Sequence, residues 1–321
     1  MLPYPRTWFA EWVESAYGSG GFWPGTRPDQ HFRTAAQDSD ALATLVTGLL
    51  DQHPHLGAVV DVGSGGGELL TELTHRRPGL ELTGIDLRPR PAGLPSRIGW
   101  TVDHWDVLAA RWVGPAAAAL ARLDRPTLVV AHEWLDDLPC RVVRRGADGW
   151  RELLLDPPPG RPDGALDAES AAWAAQWWPV GTRAEIGLTR DRAWAGLVDA
   201  ITPLGGAALL VDYGHRLDQR PEHGTLAAYR DGRAVEPRPR PDTNLTAHVA
   251  VDSVRAAGEA RGARTVLLAR QAEVVARLRP PRDGSSGLDP IASLASRSQW
   301  DAMQSRAVWG SFWWLLQSAP G

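Results

Sequence analysis

The chain has 321 residues, of which 43% are hydrophobic and 22% charged, and its formal net charge is -4. These values are typical of a globular protein, and the slight negative charge gives no electrostatic reason to expect a nucleic-acid partner. The sequence contains no lysine and one cysteine, Cys140. It therefore excludes a lysine Schiff base, an internal disulfide and a cysteine-ligated metal cluster.

The N-terminal residues lack a basic region followed by an apolar run, so no secretory signal is expected. No apolar run approaches the roughly 20 residues that a membrane-spanning helix needs. We therefore expect a cytoplasmic protein without a membrane partner.

The first 55 residues are predicted to form a helical segment. Apolar spacing indicates a helix over about Thr7–Ala16, an irregular loop over Tyr17–Gln30 and a helix from Ser39 or Asp40 to Leu50. We expect residues 56–321 to form a separate domain.

From residue 56 onward, strand and helix patterns alternate. The predicted strands are Ala58–Val62, Leu80–Asp86, Ile98–Val102, Thr127–Ala131, Ala207–Asp212 and Thr265–Leu268. The predicted helices are Glu68–Arg77, Pro115–Leu123, one from Thr189 or Asp191 to Gly205, Ala250–Arg261 and Gln271–Leu278. This alternation predicts an α/β fold with a doubly wound, mostly parallel sheet, in which ligands bind beyond the carboxyl ends of the strands.

Two insertions interrupt the alternation, at about 141–185 and 213–250. The first begins with a predicted hairpin of Arg141–Arg145 and Trp150–Leu155, followed by a segment rich in Pro and Ala. The second contains Tyr213–Thr246, which shows no clear periodicity and is either a disordered segment or a functional lid.

The C-terminal region is predicted to contain a linker at 280–290, a helix and a last sheet strand over Val308–Leu316. The sequence has 16 tryptophans. We expect the pairs Trp177-Trp178 and Trp313-Trp314 to be core or interface residues.

A glycine-rich turn follows the first strand, in the stretch VVDVGSGGGELL (59–70). Asp61 is followed by glycines at 63, 65 and 67, a spacing typical of S-adenosylmethionine (SAM) binding. A dinucleotide fingerprint needs its third glycine at position 68, which is Glu68, and a P-loop needs a lysine. Such a turn is expected to present unpaired backbone N–H groups, free of side chains, to a ligand.

Acidic residues follow the next two strands. Asp86 lies 19 residues beyond Gly67, where a carboxylate can accept both ribose hydroxyls of an adenosyl group. Asp106 can accept the amine of adenine, and Asp61 can orient the loop or meet the methionine end. Three acids suit a ligand with a sulfonium and an ammonium, whereas they would repel a pyrophosphate.

A compact polar group, His132, Glu133, Asp136 and Asp137, follows the fourth predicted strand. A zinc site of the HExxH type would need histidine at position 136, so no metal is expected. Carboxylates beside SAM can instead align an amine or guanidinium with the methyl group and take the proton it releases. Asp212 and Tyr213 are weaker candidates for the same cleft.

The chain resembles the MidA-type SAM-dependent methyltransferases, whose mitochondrial members are protein arginine methyltransferases acting in assembly of respiratory complex I. The similar motifs are WFAEWVESAYGSGGFW, VDVGSGGGELL, AHEWLDDLP, WRE, DYG, LTAHV and WGSFWWLL. The resemblance implies SAM as the cofactor and a class I, Rossmann-like sheet whose last strand is antiparallel.

We predict that Glu133 and Asp136 are catalytic. The predicted cofactor-binding residues are Asp61, Gly63, Ser64, Gly65, Gly67, Asp86, Leu87, Asp106, Val107 and His132.

The chain departs from the family pattern at His31, His132, Asn244 and Ala250, positions expected near the acceptor. The acceptor thus remains open between a protein side chain, such as arginine, and a small molecule with a nucleophilic nitrogen or oxygen. A third hypothesis is an assembly factor that binds SAM without turnover, and an NAD-dependent oxidoreductase is disfavoured by the glycine spacing.

Overall fold

The computed structural model describes residues 6–25, 39–157, 163–279 and 290–320. Its strands are β1 (Ala58–Val62), β2 (Glu81–Asp86), β3 (Gly99–Val102), β4 (Trp105–Asp106), β5 (Arg111–Trp112), β6 (Thr127–His132), β7 (Arg141–Gly146), β8 (Gly149–Glu152), β9 (Arg183–Ile186), β10 (Ala207–Asp212), β11 (Gly214–His215), β12 (Ala227–Arg230), β13 (Arg233–Val235), β14 (Asn244–Thr246), β15 (Val249–Ala250), β16 (Arg264–Arg270) and β17 (Trp313–Ser318). Its α-helices are α1 (Trp8–Tyr17), α2 (Phe22–Gly25), α3 (Ser39–Gln52), α4 (Glu68–Arg76), α5 (Ala116–Ala121), α6 (Ala168–Trp177), α7 (Leu188–Ile201), α8 (Val251–Glu259), α9 (Gln271–Leu278) and α10 (Pro290–Gln304).

Seven strands form the central sheet, in the order β16-β17-β10-β6-β1-β2-β3. The pairs from β10 to β3 are parallel, while β17 is antiparallel to both of its neighbours. The predicted α/β fold, with a mostly parallel sheet and an antiparallel C-terminal strand, is confirmed.

The sheet is covered by helices on both faces because its central strands carry apolar residues on both sides. Val59 and Leu128 pack in one layer with α3, α4, α9 and α10. Val60 and Val129, one position further along, pack in the opposite layer with α5, α7 and α8. Neighbouring positions of a strand thus serve different layers, as the two-residue period of a strand requires.

Strand order reverses beside β1, which places a crevice at one end of the sheet. The chain moves outward from β1 to β2 and β3, then returns to pair β6 with the other edge of β1. In open α/β sheets the connections diverge at such a point, and the carboxyl ends of the strands bound a ligand cleft.

The predicted hairpin is confirmed, since β7 and β8 pair antiparallel with Gly146 opposite Gly149. The sequence did not predict β9, which pairs with the other edge of β7, or helix α6. Asp167 begins α6 by accepting a hydrogen bond from the N–H of Ser170. This N-terminal cap and the Ala-rich run that follows were detectable signals.

The stretch Tyr213–Thr246 is not structureless, and it includes a single 3-10 turn at Leu217–Gln219. It contains β11 and three strands, β12 to β14, that form a separate small sheet in the order β13-β12-β14. These strands have three or four residues each, too few for the alternation of apolar and polar residues to be recognised.

Three further predictions need comment. Helix α2 lies within the stretch predicted as an irregular loop. The last strand begins at Trp313 instead of Val308, because 308–312 forms turns in which the N–H of Phe312 bonds Trp309. The predicted linker lies outside the described residues except for Pro290, which begins α10. No helix in the described ranges is long and apolar enough to cross a membrane.

Gln271 joins the C-terminal strand to the layer of α9. Its side chain is fully buried, its Nε2 donates to the carbonyl of Trp309 at 3.0 Å, and its Oε1 accepts from Nε1 of the buried Trp314 at 2.9 Å. Gln271→Ala leaves the buried indole N–H of Trp314 without its partner and removes one of two hydrogen bonds to the carbonyl of Trp309. We therefore expect the free energy of unfolding to fall by about 2 kcal/mol. Urea denaturation measures the loss. Glu273→Gln, an exposed change in the same helix, should cost a few tenths of a kcal/mol, and equal losses for both variants would contradict the prediction.

Candidate functional site

A cavity of about 880 Å³ lies at the carboxyl ends of β1, β2, β6 and β10. This volume is at the upper end for ligand sites, so it admits a cofactor together with part of a second reactant. Nine of the predicted site residues line it, namely Asp61, Gly63, Ser64, Gly65, Asp86, Leu87, His132, Glu133 and Asp136. The other three, Gly67, Asp106 and Val107, are not among the lining residues.

The backbone N–H groups of the glycine loop are already bonded within the protein, contrary to the expectation from sequence. Those of Gly63 and Ser64 donate to the carbonyl of Ile85 at 2.9 and 3.2 Å. Gly65 donates to Asp86 and Gly66 to Glu68, at 2.8 and 3.0 Å. The loop therefore offers a surface free of side chains, and it does not offer the row of free donors that a phosphate needs.

Gly63 shows why the loop requires glycine. Its φ is +70°, a left-handed conformation that residues with a Cβ rarely adopt. A Cβ built at this position would lie 2.8 Å from Cδ1 of Trp134. Gly67 also has a left-handed φ, +78°, and immediately precedes α4, so its role is in the turn itself.

Asp86 has the location predicted for a ribose-binding carboxylate, but its oxygens are engaged. Oδ2 accepts from the N–H of Gly65 and from Nη2 of Arg88, while Oδ1 accepts from the backbone N–H and Nε of Arg88, all at 2.8 to 3.2 Å. A ribose diol would have to replace the side-chain donors of Arg88. Because that side chain is 23% exposed, it can swing into solvent. The ribose-binding role of Asp86 stays a prediction.

Asp61 is buried beneath the loop and is 5% exposed. Its Oδ2 accepts a hydrogen bond from Oγ of Ser64 at 2.8 Å, and burial raises its pKa to about 7. A cationic group beside Asp61 would favour the ionised carboxylate. This environment suits the ammonium of a methionine moiety.

The placement expected for Asp106 and Val107 differs from the one observed. Oδ1 of Asp106 accepts from the N–H groups of Leu108 and Ala109, so this acid caps a turn. Val107 is buried in the core layer of α5 and α7. The chain reaches the cavity three residues earlier, through Asp103 and its two successors. The prediction assumed that the loop follows β3 directly, whereas β4 and β5 form a further short pair.

Aromatic rings form a wall that sequence analysis did not identify. Trp112 stacks on Trp134 with ring centres 6.1 Å apart, and Tyr17 stacks on His104 at 5.7 Å. All four line the cavity. Tyr17 comes from the end of α1, far from the strands in sequence, and no local spacing marks it as a site residue. Flat rings beside a glycine loop can stack on an adenine base.

The opposite half of the cavity is acidic. Glu133, directly after β6, has a φ of +47°, and its N–H donates to Val211 at 2.9 Å. Such a conformation in a residue other than glycine is strained and characteristic of functional positions. Nε2 of His132 lies 3.5 Å from Oε1 of Glu133. Burial lowers the pKa of His132 to about 4, so this imidazole is neutral at physiological pH.

Two neighbouring carboxylates are held by the small sheet. Thr246 donates from its hydroxyl to Oδ2 of Asp136 at 2.7 Å, and the side chain of Asn244 hydrogen-bonds Asp137. Burial raises the pKa of both acids. Oδ1 of Asp136 and Oδ1 of Asn244 have no hydrogen-bond partner within the described ranges. Both residues are 5% exposed and line the cavity.

The doubly wound sheet, with a cavity beside a glycine loop at the carboxyl ends of its strands, is the arrangement of proteins that bind nucleotide-like cofactors. Residues 92–268 match the family described as "Putative S-adenosyl-L-methionine-dependent methyltransferase". The match covers more than half of the chain, which therefore belongs to this family. This is a family of SAM-dependent methyltransferases, with SAM as the cofactor. The resemblance to the MidA-type enzymes is confirmed.

Two curated relatives are mitochondrial protein arginine methyltransferases. The chain is 32% identical to NDUFAF7 of Xenopus tropicalis over 133 residues, which are 39% of this chain and 30% of the relative. It is 31% identical to the NDUFAF7 homolog of Drosophila melanogaster over 149 residues, 42% of this chain and 33% of the relative. The chain thus spans about a third of the length of these relatives.

A solved structure shares the fold over nearly the whole chain. It is a Burkholderia thailandensis protein crystallised with S-adenosylhomocysteine, with a TM-score of 0.69 and 22% sequence identity. The alignment covers 97% of this chain and 87% of that one. This similarity shows the fold.

Gly63→Ala should weaken SAM binding by at least about tenfold, because the new methyl group displaces Trp134 and strains the loop that borders the cofactor. Isothermal titration calorimetry measures the affinity. Gly205→Ala is the matched control, since Gly205 also has a left-handed φ, +65°, with nothing within 4 Å of the added Cβ. Both variants should lose stability through the strained φ, and Gly63→Ala should lose more because of the contact with Trp134. Unchanged affinity in Gly63→Ala would contradict the prediction.

SAM affinity should fall as the pH drops through 7. Asp61 has a pKa of about 7 in the free protein, and a cationic ligand prefers its ionised form, which predominates above that pH. Below it, the affinity should decrease by up to about tenfold per pH unit. Titration calorimetry from pH 5.5 to 7.5 tests this, with Asp61→Asn as the control that should remove the dependence. An equally steep profile in Asp61→Asn would assign the effect to another group.

Proposed function

We propose that this enzyme methylates an arginine side chain of a protein acceptor, with Glu133 and Asp136 as its catalytic residues. The observation that carries the proposal is the cluster of carboxylates in one half of the cavity, where Glu133, Asp136 and Asp137 are lining residues. Oδ1 of Asp136 and Oδ1 of Asn244 are buried there without hydrogen-bond partners in the described part of the chain. Carboxylates buried together favour a ligand that brings positive charge and N–H donors.

A guanidinium fits this lining better than an ammonium does. It carries five N–H donors in a planar fork that matches a carboxylate, and it retains its positive charge when buried. Burial raises the pKa of Asp136 and Asp137, which means that the ionised forms lack sufficient stabilisation. A guanidinium between Glu133 and these acids would supply it and would lower their pKa.

The same residues suit the chemistry. SAM supplies an electrophilic methyl group. The acceptor nitrogen forms the new N–C bond as the S–C bond breaks, and the nitrogen releases one proton. Glu133 and Asp136 hold the nitrogen in line and take that proton, while Thr246 fixes the orientation of Asp136 through its 2.7 Å hydrogen bond.

The names of the curated relatives agree with this proposal. They are protein arginine methyltransferases, and the similarity to them is 31–32% over 133 to 149 residues. The partial length of the match is the reason why the acceptor has to be established on this chain itself.

The test is methyl transfer from SAM labelled in its methyl group to a cell extract, followed by separation of protein from small molecules. We expect the label in protein, and acid hydrolysis should release it as methylated arginine. Glu133→Gln and Asp136→Asn should each lower kcat/KM by about 100-fold or more, with SAM affinity nearly unchanged. Label confined to small molecules would replace the proposal with the small-molecule methyltransferase.

Glu169→Gln provides the control for an acid-to-amide change. Glu169 lies on α6, exposed to solvent and paired with Arg192, and it is not a lining residue of the cavity. Its activity should equal that of the parent protein. If Glu133→Gln and Asp136→Asn also retained full activity, their catalytic roles would be wrong.

A further inference from the structure

Arg190 is a buried arginine behind the acceptor half of the cavity. It is the third residue of α7 and is 1% exposed. It does not line the cavity, and sequence analysis did not select it.

The guanidinium of Arg190 bonds four backbone carbonyls from two separate segments. On one side, Nε donates to Leu138 at 3.2 Å and Nη2 to Asp136 at 2.7 Å. On the other, Nη1 donates to Ala247 at 2.9 Å and to His248 at 3.0 Å. Four of the five N–H groups of the side chain are therefore used in joining these segments.

The stability of α7 does not explain why an arginine occupies position 190. A positive charge in the first turn of a helix is opposed by the helix dipole, and burial of a charged side chain is costly without compensation. Arg190 nevertheless occupies this position, and its charge partly offsets the burial of Asp136, Asp137 and Asp212 by lowering their pKa. The cost of burying the Arg190 charge is offset by these carboxylates and by the backbone carbonyls of the acceptor half of the site.

The two joined segments form two walls of the acceptor half of the cavity, and they carry the side chains that line it. The segment 136–138 provides Asp136, and the segment 244–248 provides Asn244 and Thr246. The walls also touch directly, because the N–H of Ala247 donates to the carbonyl of Asp136 at 3.2 Å. Loss of the Arg190 contacts would leave only this bond and the side-chain contacts to set the distance between them.

We propose that Arg190 is a positioning residue, which holds the walls of the acceptor subsite at the separation that the guanidinium requires. The inference rests on the proposed function, because it assigns the acceptor half to arginine. Lysine cannot replace Arg190 in this role. An ammonium is a compact point charge, whereas the planar guanidinium reaches four separate carbonyls through three nitrogens.

Arg190→Lys should lower kcat/KM for an arginine-containing test peptide by about 100-fold, as expected from a displacement of about 1 Å of a catalytic group. The KM for the peptide should rise, and the Kd for SAM should change less than about twofold. Retained SAM affinity shows that the variant is folded. Arg192→Lys is the matched control, because Arg192 lies two residues further along α7, is exposed and pairs with Glu169.

Amide hydrogen exchange measures the effect of the substitution independently of methyl transfer. In Arg190→Lys the amide of Ala247 should exchange at least about tenfold faster, while amides of the central strand β1 should be unchanged. Unchanged exchange at Ala247, or faster exchange with normal kcat/KM for the peptide, would overturn the proposal. If the parent protein transfers no methyl group to arginine, the proposed function fails, and the exchange rates still decide whether Arg190 joins the walls.

Discussion

Negative charge buried at one end of the sheet is the constraint on which the acceptor half of the molecule depends. Asp212 is fully buried at the end of β10, and its Oδ2 accepts from the N–H groups of Leu135 and Asp136 at 3.1 and 3.3 Å. Burial, with the nearby charges of Asp136 and Glu133, raises its pKa well above the ordinary value. Carboxylates this close cannot all be ionised without a cation. The chain supplies one guanidinium from behind, Arg190, and the acceptor would supply another from the front.

The two halves of the cavity use different physical means. On the cofactor side, glycines with left-handed backbones bring the main chain close to the ligand, and their N–H groups are satisfied within the protein. This loop is complete before any ligand arrives, and its shape is set by the protein alone. On the acceptor side, polar atoms such as Oδ1 of Asp136 remain unpartnered within the described ranges. Stability there has been given up for recognition.

Sequence patterns predicted the central sheet well because local features determine it. β1 and β10 have their predicted bounds, since each is a short, mostly apolar run that ends in a polar turn. Asp61 and Glu133 were predicted to face the same cleft for the same reason, as each adjoins a strand end, and both line the cavity. Tyr17, Asn244 and Thr246 reach the cavity from α1 and from a small sheet. Their placement depends on tertiary packing, which local periodicity does not encode. The error at Asp106 arose from an unrecognised pair of two-residue strands.

The left-handed backbone of Glu133 also has an evolutionary consequence. A side chain in that conformation costs of order 1 kcal/mol or more, and glycine or asparagine would relieve the strain. Selection for thermal resistance alone would therefore favour Glu133→Gly or Glu133→Asn, substitutions that remove the carboxylate from the cavity. Libraries built to stabilise this enzyme should hold position 133 constant, because folding and chemistry favour different residues there.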